Sequence, residues 1–145
     1  MGVPMAKRLL QAGIELSVWN RTAAACEPLH AAGAHVFASA RELAANVDVL
    51  MLCVSDSAAV EAICHGADGV FAGAHSDLIV VDHSSIAADV TRQLAAELRK
   101  IANTEWVDAP VSGGVAGAEN GRLVIMAGGK ATTIDAVRPM LAHYS

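Results

Sequence analysis

Val107-Asp108-Ala109-Pro110-Val111-Ser112-Gly113-Gly114, followed by Gly117-Ala118, Gly121 and Leu123-Val124-Ile125-Met126-Ala127-Gly128-Gly129, is the stretch that decides how this chain is read. Glu105-Trp106-Val107-Asp108 reads as a short buried strand, and Pro110, which cannot donate to a central ladder, ends it. Ser112-Gly113-Gly114 then presents a hydroxyl and two amides with no Cβ in the way, ahead of a helix expected to start near Val115. Amides at a helix N-terminus, with the positive end of the dipole behind them, favour an anion such as a carboxylate. Taken alone, the tripeptide also fits a tight turn that holds no ligand.

Outward from this stretch the chain alternates strands and helices. Leu78-Ile79-Val80-Val81-Asp82 is an apolar run, and so is Val47 to Val54, broken only by Asp48. Parallel strands buried on both faces look like this. Ile14-Glu15-Leu16-Ser17-Val18-Trp19 alternates apolar and polar and reads as a strand, and His35-Val36-Phe37 as a shorter one. Leu123 to Ala127 is a further strand.

The helices between them carry their own punctuation. Pro4 suits a first turn, Met5, Leu9 and Leu10 make an apolar stripe, and Gly13 is a stop. Thr22 is a candidate N-cap for a helix in which Pro28 predicts a kink or a late start. Ser39-Ala40-Arg41-Glu42 is a capping box for a helix to about Asn46, and Ser55-Asp56-Ser57 caps one from Ala58 to about His65. Ser84 or Ser85 is a candidate cap for a helix from about Asp89 to Ala102. Thr132 or Thr133 is expected to cap the last one, through Ile134, Val137, Met140 and Leu141. Such alternation predicts an α/β fold, a doubly wound and mostly parallel sheet.

Bulk properties exclude classes without naming a chemistry. A length of 145 residues suits one domain with a real core, and the apolar, aromatic-poor composition suits helices packed on a sheet. A formal net charge of −5 leaves no electrostatic footprint for nucleic acid. No apolar run reaches the roughly 18–20 residues of a membrane span, and the start does not resemble a secretory signal. Cys26, Cys53 and Cys64 are odd in number and lack metal-ligand spacing, so free thiols in a reducing cytoplasm are expected and no metal site is. Cys53 reads as a buried apolar cysteine rather than a nucleophile. His83 reads as a bystander, because a general acid needs a poised neighbour and no sequence feature supplies one.

The stretch Val107–Gly129 resembles the β-hydroxyacid dehydrogenase family, which includes 3-hydroxyisobutyrate dehydrogenase, tartronate semialdehyde reductase and 6-phosphogluconate dehydrogenase. That family writes D-A-P-V-S-G-G, G-A, G-x-L and an apolar strand ending in Gly-Gly, as this chain does, and the resemblance covers nearly all of it. It implies a Rossmann-like domain over residues 1–145, here expected to be incomplete at both ends. Gly2 would be the last glycine of the phosphate-binding fingerprint, so the first strand and most of the phosphate loop would be missing.

Site roles follow from the same resemblance. Asn20-Arg21-Thr22 would hold the adenosine ribose end. Asn20 replaces the acid that binds ribose hydroxyls and Arg21 adds a cation for a 2′-phosphate, which favours NADP(H) over NAD(H). The alternative is a solvent-exposed turn. Cys53-Val54-Ser55, at the end of a buried strand, would border the cofactor, although relatives often carry Met-Leu-Pro there. The family writes D-x-S-T-I where this chain has Asp82-His83-Ser84-Ser85-Ile86, so Ser85 would touch the nicotinamide ribose in place of Thr. Ser112, Gly113 and Gly114 would hold the substrate carboxylate. No catalytic residue is expected within the chain. The family's catalytic Lys, in a K-x-x-N-N setting, would lie downstream in a helical domain, and Lys130 does not match it.

Three readings follow. The chain is expected to be the NADP(H)-binding part of an oxidoreductase that moves hydride between a nicotinamide cofactor and a short 3-hydroxy acid or semialdehyde. A cytoplasmic homo-oligomer acting on a small carboxylate, with no nucleic-acid or membrane partner, goes with that reading. Alternatively it is a non-catalytic dinucleotide-binding or interaction module, or the product of a truncated gene, and by itself it is expected to be inactive.

Overall fold

The computed structural model describes residues 1–145. In chain order the elements are α1 (Gly2–Gln11), β1 (Ser17–Val18), a 3₁₀ turn (Ala23–Cys26), α2 (Glu27–His30), β2 (His35–Val36), α3 (Ala40–Ala45), β3 (Val49–Leu52), α4 (Ser57–Cys64), α5 (Val70–Gly73) and β4 (Ile79–Asp82). They continue as α6 (Ala88–Ala102), β5 (Glu105–Asp108), β6 (Val111–Ser112), α7 (Gly114–Asn120), β7 (Val124–Ile125) and α8 (Ala131–Leu141).

All pairing among the first five strands is parallel. β3, β4 and β5 form one sheet in that order, with Val49 opposite Ile79 and Ile79 opposite Glu105. β1 pairs only with β2, Ser17 opposite His35, and no ladder joins that pair to β3. β6 and β7 make an antiparallel pair, extended by a bridge between Asp108 and Gly128.

Side chains alternate across a strand, so the central sheet feeds two cores. Leu50, Leu52, Val80 and Trp106 pack on one face with Ala40 and Ala44 of α3, Val60 and Cys64 of α4, and Leu94 and Leu98 of α6. Val81 and Val107 pack on the other with Met5 and Leu9 of α1, Ala118 of α7, Val137 and Leu141 of α8, and Tyr144. Val80, Val81 and Val107 are fully buried, each worth about 2 kcal/mol relative to exposure. Helices on both faces of a parallel sheet make this the doubly wound, Rossmann-like arrangement expected. No helix is long and apolar enough to cross a membrane.

Local chemistry explains the starts of α2, α3 and α4. The Glu42 amide donates to Ser39 Oγ (3.1 Å), and Glu42 Oε2 accepts from the Ala38 amide (3.2 Å), so the capping box forms. Asp56 caps α4 by accepting from the Ala59 amide at 2.9 Å. Pro28 does force a late start: a 3₁₀ turn runs first, and α2 opens with Pro28 in its first turn, where no amide is needed.

Three capping expectations are corrected. Ala87, not Ser84 or Ser85, precedes α6, without a side-chain cap. Lys130 precedes α8, again with no side-chain bond, and Thr133 is buried against the core instead. Thr22 sits at the N-cap position of the 3₁₀ turn, but its side chain makes no capping bond. The strand read as Ile14–Trp19 is paired residue for residue only at Ser17–Val18, with the Leu16 carbonyl also accepting from the His35 amide, because β2, its one partner, is itself two residues long.

Candidate functional site

The C-terminal ends of β3, β4 and β5 lie side by side, since the three strands are parallel and in register: Leu52 is opposite Asp82, and Asp82 opposite Asp108. Cys53-Val54-Ser55, His83-Ser84-Ser85 and Ala109 to Gly114 therefore emerge at one edge of the sheet. In open α/β sheets ligands sit outside this edge. Gly2 joins it from α1: a Cβ added there would lie 3.9 Å from Cys53 Cβ.

These ends are tied to one another by polar bonds. The His83 amide donates to the Leu52 carbonyl (2.8 Å) and the Ala109 amide to the Asp82 carbonyl (2.7 Å), carrying the ladder one step past the strands. The Val54 amide donates to Ser84 Oγ (3.0 Å), and the Ser84 amide to Asp82 Oδ1 (2.9 Å). Ser84 is buried and braces the β3 end, whereas Ser85 is exposed.

Beyond Pro110, β6 carries Val111 and Ser112 out to an exposed turn. Gly113 (φ +130°) precedes α7 and Gly114 (φ +64°) opens it, both conformations that side chains with a Cβ rarely adopt. A Cβ on Gly113 would press on Leu123 at 3.2 Å, while the space around Gly114 is open. Ser112, Gly113 and Gly114 all face solvent, so the turn is bare on the outside and packed on Leu123 beneath.

The remaining positions singled out by sequence sit as follows. Asn20, Arg21 and Thr22 are exposed just past β1, with Asn20 Nδ2 donating to the Thr22 carbonyl (2.9 Å) and Arg21 in no ion pair. Cys53 is half-buried against the α1 side of the core, and burial pushes its thiol pKa up, so it is a poor thiolate. Ser55 Oγ donates to Asp56 Oδ2 (2.9 Å), and Asp56 is held below the usual carboxylate range by the Ala59 amide and then by Ser55.

Three buried groups, His83, Tyr144 and Asp82, carry surroundings that the sequence did not announce. His83 has a partner after all: its Nδ1 lies 2.7 Å from the Ala109 carbonyl and its Nε2 2.9 Å from the Tyr144 hydroxyl. Burial lowers the pKa of His83 below its ordinary 6.5 and raises that of Tyr144, so both are neutral. Asp82 is fully buried with Oδ2 unpartnered, and burial raises its pKa, with the charge of Asp108 adding to the effect. Tyr144 is 61 residues from His83 in sequence, and no local pattern links the two.

The family model described as the NAD binding domain of 6-phosphogluconate dehydrogenase matches residues 1–145. The mitochondrial 3-hydroxyisobutyrate dehydrogenase of Drosophila melanogaster is 38% identical over 143 residues, 97% of this chain and 43% of that protein. The NAD-dependent L-serine dehydrogenase of Pseudomonas aeruginosa is 38% identical over 140 residues, 97% of this chain and 47% of that protein. The solved structure of Psf3 in complex with NADP+ and 2-OPP superposes with a TM-score of 0.93 at 30% identity, covering 99% of this chain and 51% of that one. The chain thus spans about half the length of the curated relatives it matches.

Proposed function

This chain belongs to the family of the NAD-binding domain of 6-phosphogluconate dehydrogenase, and from that premise we propose that it is the cofactor-binding part of an oxidoreductase acting on a short 3-hydroxy acid or semialdehyde. NAD(P) binding goes with the family. The observation that carries the rest is the bare Ser112-Gly113-Gly114 turn, standing at the same sheet edge as the ends of β3 and β4. The two curated relatives named above are dehydrogenases by name, and nothing favours a non-catalytic module over this reading.

The residues present fit such a cofactor. Gly2 leaves α1 without a side chain where it meets Cys53, which suits a phosphate approaching a helix start. Arg21 is an exposed cation without a partner, the group that a 2′-phosphate would need. When bound, the cofactor supplies or accepts the hydride. Gly2 and Asn20-Arg21-Thr22 would bind its phosphate and ribose, and the Cys53-Val54-Ser55 backbone with Ser85 would border it on the substrate side. The hydroxyl of Ser112 and the amides of Gly113 and Gly114 would hold the substrate carboxylate, orienting it by donated hydrogen bonds. We assign no catalytic acid among residues 1–145.

Residues 1–145 act in this reading as one NAD(P)-binding domain, and the whole protein as a cytoplasmic homo-oligomer with a small carboxylate as substrate. NADP(H) is taken as the preferred cofactor. The P. aeruginosa relative is NAD-dependent by name and the Psf3 structure holds NADP+, so what supports the preference is Arg21 rather than the family. Titration calorimetry of this chain with NADPH and NADH tests it. NADPH binds more tightly in wild type, and Arg21→Asp brings the ratio down about tenfold or more. A ratio unchanged by that substitution removes Arg21 from the site.

A further inference from the structure

We propose that Tyr144, acting through His83, is a positioning residue for the Ser112-Gly113-Gly114 turn. The inference rests on the reading of that turn as a carboxylate anchor and adds what holds it still.

The hydrogen bonds define the chemistry. The Ala109 carbonyl can only accept, so at 2.7 Å His83 Nδ1 must carry the proton. Nε2 is then a bare acceptor, and the Tyr144 hydroxyl at 2.9 Å must donate to it. Met51 Sδ, 3.3 Å from the same hydroxyl, is left as a weak second acceptor. The opposite tautomer would set a nitrogen lone pair against the Ala109 oxygen in a buried site. His83 and Tyr144 are 3% and 0% exposed, so no water replaces a lost partner there.

Besides the β6–β7 ladder, which pairs Ser112 with Val124, two supports of the turn pass through Tyr144. On one side its hydroxyl fixes His83, which fixes the Ala109 carbonyl, three residues before Ser112; the Ala109 amide is pinned independently by the Asp82 carbonyl. On the other side the Tyr144 carbonyl accepts from the Leu123 amide (3.1 Å), and Leu123 is the side chain that Gly113 and Gly117 rest on. The Met126 amide closes the loop by donating to the Pro110 carbonyl (3.0 Å). A residue just past α8 thereby sets the height and tilt of a turn it does not touch.

The test uses the ¹⁵N-labelled 145-residue chain. In wild type, long-range ¹H–¹⁵N spectra of the His83 ring are expected to show the Nδ1–H tautomer; an Nε2–H ring overturns the proposal without any variant. Tyr144→Phe removes the hydroxyl and keeps both the ring and the main-chain link to Leu123. It is expected to shift the His83 Nε2 resonance and to speed exchange of the Gly117 and Met126 amides, which close on Gly113 and Pro110, about tenfold, with the β3–β4 ladder unmoved. Exchange that is unchanged, or raised equally throughout, overturns it. With NADPH present, 3-hydroxyisobutyrate should bind this variant about tenfold more weakly than wild type. If that probe binds neither protein, the anchor reading fails, whereas the tautomer and exchange results still decide the positioning role. Should Tyr144→Phe not fold, His83→Gln gives the same exchange readout.

Discussion

The interior of the β3–β4–β5 sheet and the polar layer at its C-terminal ends are equally buried but held by opposite means. Val80, Val81 and Val107 are fully buried and ask nothing of their neighbours beyond shape. One step further along the same strands, Asp82, His83 and Ser84 are 0%, 3% and 2% exposed, and each must find a polar partner or bear the desolvation. The interior tolerates any side chains of the right volume, whereas the layer above it works only as a connected set of bonds. It is also the layer on which the proposed site stands, so geometry there is fixed by hydrogen bonding rather than by packing.

The largest effect expected from this contrast is in the interior. Leu78 enters β4 with no exposed surface, and Leu78→Ala should destabilise the chain by about 3 kcal/mol, as transfer and cavity costs add. Denaturant unfolding measures it. A loss below about 1 kcal/mol would mean that the site collapses to fill the space, and that the interior is less tightly packed than the polar ends.

The next effect runs through His83 and depends on pH. Its pKa is lowered in the fold, mainly by burial, from the ordinary 6.5. The unfolded chain therefore takes up a proton first, so the stability His83 contributes is complete above pH 6.5 and is lost as pH falls below it toward the folded value. The loss should show between pH 7.5 and 5.5. His65, whose pKa is raised chiefly by its hydrogen bond to Glu97, works in the opposite direction from the surface, so the informative quantity is the difference between wild type and His83→Gln. If the two unfolding curves keep a constant separation across that range, His83 is not the neutral bridge that its contacts describe.

The same contrast explains what was legible in the sequence. The apolar runs at Val47–Val54 and Leu78–Asp82 announced buried parallel strands because their signal is local, and Ser39 and Asp56 announced caps whose partners lie three residues away. The Ser-Gly-Gly turn was legible by resemblance. The polar layer was not, because its cross-strand bonds join residues 26, 30 and 61 positions apart, and no short window along the chain contains both ends of one of these. Ser84 shows the difference well. Its sequence position suited a cap for α6, yet its hydroxyl accepts from Val54 across the sheet, since the adjoining strand end offered an amide with no ladder partner.

Asp82 gives the smallest and sharpest test. Its Oδ1 accepts from the Ser84 amide, while Oδ2 has no partner and no exposure. Burial, and after it the charge of Asp108, raises its pKa above 3.8. The sign is opposite to that of His83: stability is complete below pH 3.8 and is lost as pH rises through the folded value, so at pH 7 the chain carries the cost of an ionised or uphill-protonated carboxyl. Asp82→Asn keeps the Oδ1 acceptor for Ser84 and removes the charge but sets an unpartnered NH2 where Oδ2 lies, so the readout is the pH dependence: the variant should gain on wild type as pH rises from 3.8 toward 7. That gain should vanish below pH 3.8, where wild type is neutral in both states. A variant that instead loses on wild type as pH rises would mean that the fold favours the carboxylate, and the polar layer would then be a charged platform rather than a neutral one.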